Sequence, residues 1–81
     1  MIREITFSPD DFYANYFWSV GKGYKIREDI LVKTYLSNFF TFKDIVTLHA
    51  LVGKDALLAY AEELGMEKRV RKLVALIEKY A

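Results

Sequence analysis

The stretch from Phe12 to Trp18 constrains this chain more than any other, because Phe12, Tyr13, Tyr16, Phe17 and Trp18 crowd together with no charge between Asp11 and Lys22. As a helix it places Phe12 over Tyr16 and Tyr13 over Phe17, with Trp18 at its exit, and rings so distributed do not share one narrow stripe. Such bulk is covered only if other elements gather round it. Ahead of it, Ser8-Pro9-Asp10-Asp11 has the form of a helix start. Ser8 is a capping residue, Pro9 suits the first helical position, and the two carboxylates complement the positive end of the helix dipole. The spacing predicts a first helix from Pro9 to about Trp18.

Gly21-Lys22-Gly23 then breaks the chain, and its glycines favour a turn. The third glycine and the Lys-Ser/Thr of a phosphate-binding loop are missing. Lys25 to Asn38 predicts a second helix, with Ile30, Leu31, Tyr35, Leu36 and Phe39 on its buried face and Val32 widening it. Thr41 followed three residues later by Asp44 is close to a capping box, so a third helix should start at Phe42, bury Ile45, Val46, Leu48, Leu51 and Val52, and stop at Gly53. A fourth runs from Lys54 to Leu64 on Leu57, Leu58, Ala61 and Leu64. The last begins at Met66 or Glu67 and reaches about Tyr80 on Met66, Val70, Leu73, Val74 and Ile77. Ile5 and Phe7, two apart, fit either a short strand or a frayed arm. The expected architecture is all-α, a compact bundle of about five short helices in one domain (1–81), with residues 1–7 as an arm or strand and 8–81 as the bundle.

A chain of 81 residues buries only about 60–65% of its unfolded surface. At 53% hydrophobic and 16% aromatic, it has enough apolar surface to fold and more than one thin core readily encloses. A partner or a second copy would cover the excess. The net charge of +1 supplies no global field toward phosphate or anionic lipid, and the absence of cysteine removes disulfides, thiolate metal sites and cysteine nucleophiles. MIREITF lacks the shape of a signal peptide, and no segment approaches ~18 uncharged apolar residues. A cytoplasmic protein without a membrane association is expected.

Catalytic groups are sparse. His49, the one histidine, lies between Leu48 and Ala50 in a helical stretch, where a structural or surface role is the ordinary one; neither HExxH nor a softer ligand set accompanies it. The paired acids Asp10-Asp11, Glu28-Asp29 and Glu62-Glu63 are sequence neighbours, which point about 100° apart on a helix instead of converging. No enzyme, metal or cofactor is expected.

Two surfaces remain as candidates. Tyr13, Tyr16, Trp18 and Tyr24 are of types enriched at binding hot spots, whereas Phe12 and Phe17 are expected in the core. Lys68, Arg69, Arg71 and Lys72 make the last predicted helix basic on the side away from Val70, Leu73 and Val74. That face suits solvent, an acidic protein partner or nucleic acid. The helix, Gly53 turn and helix around it have the outline of a helix-turn-helix. Yet KDALLAYAEELG brings Asp55, Glu62 and Glu63 and no arginine, asparagine or glutamine to read a base edge.

NYFWSV, a short break, and IREDILVKTYLSNFFTFKDIVTLHALVGKDALLAYAEE together resemble small uncharacterised helical proteins of bacteria and archaea, over about Asn15 to Glu63. These are often encoded beside nucleotidyltransferase-like toxins of the abortive-infection type, as candidate antitoxins. Ser37-Asn38-Phe39-Phe40 departs from the glycine turn of that pattern. The resemblance implies a partner-binding role, that of an antitoxin or adaptor; the apolar excess suits another protein or a second copy of the chain as that partner, and the basic last helix keeps a small helix-turn-helix-like nucleic-acid-binding protein as the alternative.

Overall fold

The computed structural model describes residues 2–17 and 23–80. Strand β1 (Glu4–Phe7) and strand β2 (Tyr24–Arg27) pair antiparallel, with Ile5 opposite Ile26 and Phe7 opposite Tyr24. Four α-helices follow: α1 (Glu28–Leu36), α2 (Phe42–Val52), α3 (Lys54–Glu63) and α4 (Glu67–Tyr80). Among the described residues the fold is mostly helical, with four α-helices and a two-stranded sheet in place of about five helices.

Both departures from the helical expectation have a physical reason. Side chains alternate across a strand, so Ile5, Phe7, Tyr24 and Ile26 share one face of the ribbon while Glu4, Thr6, Lys25 and Arg27 share the other. Phe7 and Ile26 are buried, and the four polar residues are exposed. The residues counted into the start of the second helix therefore belong to β2. Helix α1 begins only at Glu28, whose amide donates to the carbonyl of Arg3 at 2.9 Å and whose carboxylate, with that of Asp29, sits in the first turn.

The predicted first helix shrinks to a three-residue 3-10 turn at Pro9–Asp11, with no side-chain cap from Ser8. Beyond it Phe12 is buried, Tyr13 exposed, Ala14 half-buried, Asn15 exposed and Tyr16 half-buried, an alternation of two instead of 3.6. The segment lies across α1 and α2 and is fastened to both. The Asp44 carboxylate accepts the amides of Tyr13 at 2.6 Å and Ala14 at 3.2 Å, the Tyr35 hydroxyl donates to the Ala14 carbonyl at 2.6 Å, and the Thr47 hydroxyl donates to the Asp11 carbonyl at 2.7 Å. These bonds take up backbone groups that a helix would have paired internally. The end assigned to that helix at Trp18 lies outside the described residues.

From Thr41 onward the predicted elements are in place. Thr41 and Asp44 form the reciprocal capping box that starts α2, and Gly53 alone joins α2 to α3. Gly53 has φ +88 and ψ 164, backbone open essentially to glycine. A Cβ there would meet nothing within 4 Å, so the cost of Gly53→Ala lies in the backbone. It should lower stability by about 1–3 kcal/mol in urea denaturation with the native fold retained. At the α3–α4 joint Gly65 has φ +72, and the Met66 amide returns to the Ala61 carbonyl at 2.8 Å.

The core runs from Leu31, Val32, Tyr35 and Leu36 of α1 through Ile45 and Leu48 of α2 and Leu57 and Ala61 of α3 to Val70 and Val74 of α4. Ile30 and Phe39, expected on the buried face of the second helix, are exposed at 45% and 67%, and Val46 and Leu64 are at the surface as well. With α1 ending at Leu36, Phe39 falls in the linker and no longer continues the helix face.

Candidate interaction surface

The residues singled out in the sequence do not form one patch. Tyr13 is 69% exposed beside the start of α2, where Asp44 holds its amide. Tyr16 is half-buried, its ring edge-on to Tyr35 at 5.1 Å and its hydroxyl bonded to the Phe39 carbonyl. Tyr24 is partly exposed at the start of β2, edge-on to Phe7 at 6.1 Å. Trp18 lies outside the described residues. Phe12 is in the core as expected, stacked on Tyr35 at 4.2 Å with an interplanar angle of 16°, and Phe17 is half-buried against Phe7.

Lys68, Arg69, Arg71 and Lys72 are all exposed on α4, opposite the buried Val70 and Val74. They are not equally available. Arg71 donates to the Glu67 carboxylate at 2.9 Å, and the Arg69 guanidinium lies over the Phe40 ring at 4.6 Å. Two residues apart on a helix means about 200° of rotation, so these two cations face opposite flanks of α4.

A more continuous apolar surface lies where it was not expected, between α2 and α4. Phe42 and Val46, one turn apart on α2, and Leu76, Ile77 and Tyr80 on α4 line a groove of about 200 Å³. Ile77 forms its buried floor, while Phe42, Leu76 and Tyr80 are exposed at 45%, 43% and 75%. The spacing along each helix supplies one wall, and the packing of the two helices brings the walls together. On α4, Leu76 and Tyr80 stand beside the stripe of Val70, Val74 and Ile77, making the apolar arc wider than a single core contact uses. On α2, Phe42 and Val46 stand off the line of Ile45, Leu48 and Val52 in the same way.

Glu28 is buried; its carboxylate takes the Arg3 guanidinium on one oxygen and the Tyr60 hydroxyl at 3.0 Å on the other, and Arg3 also donates to the Val52 carbonyl at 3.0 Å. This ties the residue preceding β1 to α1, α2 and α3. His49 is half-buried on α2, and its carbonyl accepts the Gly53 amide at 3.0 Å. Among the described residues no three His, Cys, Asp or Glu side chains stand close enough to share a metal ion.

Burial, reinforced by the nearby Asp44 charge, pushes the Tyr35 hydroxyl up to about 12 from its usual value near 10. Burial and the hydrogen bond to Glu28 do the same for Tyr60, also to about 12. Both phenols hold their protons more tightly folded than unfolded. The stability they contribute is complete below about pH 10 and is lost as pH rises through about 12. Alkaline titration should show a late tyrosinate absorbance step coincident with loss of helical circular dichroism, and Tyr60→Phe should remove one phenol from that step. A step completed well before unfolding would contradict the arrangement.

Comparison of the chain with protein-family models, with curated proteins and with solved structures gives no match.

Proposed function

We propose that this chain is a non-catalytic protein-interaction module, in the role its resemblance implies: the antitoxin or adaptor partner of a nucleotidyltransferase-like toxin. The observation that carries the reading is the α2–α4 groove, where Phe42, Leu76 and Tyr80 keep large apolar areas at the surface. Among the described residues sixteen hydrophobic side chains are buried in the core, yet Phe42, Leu76 and Tyr80 gather outside it in one place. Contiguous apolar surface of that kind marks a site that another molecule covers. Phe39 and Tyr13 are exposed as well, but Tyr13 sits over the Asp44 side of α2, away from the groove.

The alternative is nucleic-acid binding through Lys68, Arg69, Arg71 and Lys72. The exposure of all four favours it; the pairing of Arg71 with Glu67 and the seating of Arg69 on Phe40 weaken it. The neighbouring α3 adds Asp55, Glu62 and Glu63, all exposed, whose charge opposes phosphate.

Native co-purification with mass determination of the associated species separates the two. A stable protein complex is expected, dispersed by Leu76→Glu at unchanged circular dichroism. Purification as a free monomer, together with a salt-sensitive shift of DNA or RNA abolished by neutralising the four basic residues, would replace the interaction module with the nucleic-acid reading.

A further inference from the structure

We infer that the α2–α4 groove receives an amphipathic helix whose apolar side is flanked by acidic residues. This rests on the interaction-module reading and specifies its partner. The floor and walls are Phe42 and Val46 from α2 and Leu76, Ile77 and Tyr80 from α4. Two packed helices presenting apolar side chains along a shallow channel offer the surface that an amphipathic helix fills with residues at i, i+3 or i+4, and i+7. Phe42 and Val46, four residues apart, give the groove about 6 Å along α2, roughly one turn of such a ligand.

The rim decides which helix. Lys72 and Lys79 lie one turn to either side of Leu76 on α4, and Lys43 lies one turn before Val46 on α2; all three are exposed. The acids of α4 are engaged elsewhere: Glu78 pairs with Lys54 of α3 at 3.2 Å, and Glu67 pairs with Arg71. Asp44 of α2 is buried under the N-terminal segment. An apolar trough with a lysine rim matches carboxylates flanking an apolar stripe. A second copy is disfavoured by the same rim, since a two-fold contact sets the same patch against itself and brings these lysines together.

The test uses the isotope-labelled full chain and two synthetic peptides of about 18 residues, long enough to span the groove. They share leucines at helical spacing, flanked by glutamate in one and lysine in the other. The glutamate peptide should bind and shift the amides of Phe42, Val46, Leu76 and Tyr80. Its affinity should fall about tenfold in the Lys72→Glu/Lys79→Glu variant and about tenfold between 50 and 500 mM salt. The lysine peptide should bind at least about tenfold more weakly.

Equal affinity for both peptides, shifts centred elsewhere, or no binding by either at millimolar concentration would overturn the inference. So would a homodimer dispersed by Leu76→Glu, or uptake on phosphatidylserine vesicles through these residues in preference to the glutamate peptide. A native complex that survives Leu76→Glu would sink the groove while leaving the interaction module intact. Groove binding of the glutamate peptide without any partner in native purification would support the groove and remove the adaptor role.

Discussion

Truncating Tyr35 to alanine should destabilise the fold by about 3–5 kcal/mol, the range for removing a large buried aromatic side chain. Against the total of about 4–12 kcal/mol expected for 81 residues, that is enough to leave a substantial population unfolded near physiological temperature. Tyr35 is fully buried and receives three rings of the N-terminal segment: Phe12 stacked at 4.2 Å, Tyr16 edge-on at 5.1 Å and Phe17 tilted at 6.3 Å. Its hydroxyl reaches the Ala14 carbonyl, so both ring and hydroxyl hold that segment. Tyr35→Phe keeps the stack and orphans one carbonyl, and should cost only about 1 kcal/mol. Urea denaturation of the two variants tests the division. A Tyr35→Ala protein with a midpoint close to that of Tyr35→Phe would mean that the ring stack contributes little.

Replacing Asp44 by alanine should cost a comparable amount, about 3–5 kcal/mol, for a different reason. The carboxylate is fully buried and accepts the amides of Tyr13, Ala14 and Thr41, the last at 2.8 Å, and the Thr41 hydroxyl at 3.1 Å. Alanine leaves several donors in a site that the folded chain closes to water, each costing about 1–3 kcal/mol when unsatisfied. It also removes half of the capping box that starts α2. Asp44→Asn keeps one acceptor oxygen and should lose less. Amide hydrogen exchange separates this effect from that of Tyr35→Ala. Exchange at Tyr13 and Ala14 should accelerate more than exchange in α3 and α4, because the damage begins where the segment is fastened. Uniform acceleration across all four helices would show that Asp44 acts on the fold as a whole.

Asp44 also marks the limit of what was legible. As a capping residue three positions after Thr41 it is visible in the sequence, and the predicted start of α2 follows from that alone. Its second task, accepting the amides of residues about 30 positions earlier, has no local signature. Expecting a helix from Pro9 to Trp18 rested on a sound start signal, and that signal yields a single 3-10 turn. The alternation Phe12, Ala14, Tyr16 was there to be found, but its inward side is defined only by Tyr35 and Asp44, which lie far along the chain. β2 is similar: Tyr24 to Arg27 suits a strand once β1 supplies the edge to pair with. For the candidate surface, the apolar excess was evident from composition and its location was not. The tyrosines singled out are scattered, whereas Phe42, Val46, Leu76 and Tyr80 come together only because α2 and α4 pack side by side.

The sequence by itself determined α2, α3 and α4, because their boundaries are set within a few residues by the Thr41–Asp44 cap, by Gly53 and Gly65, and by apolar spacing along one element. Only the tertiary structure decided the N-terminal third and the groove. There the amides of Tyr13, Ala14 and Glu28 and the rings of the groove find partners distant in sequence, and local preference is outweighed by hydrogen bonds and contacts formed only after the helices have met.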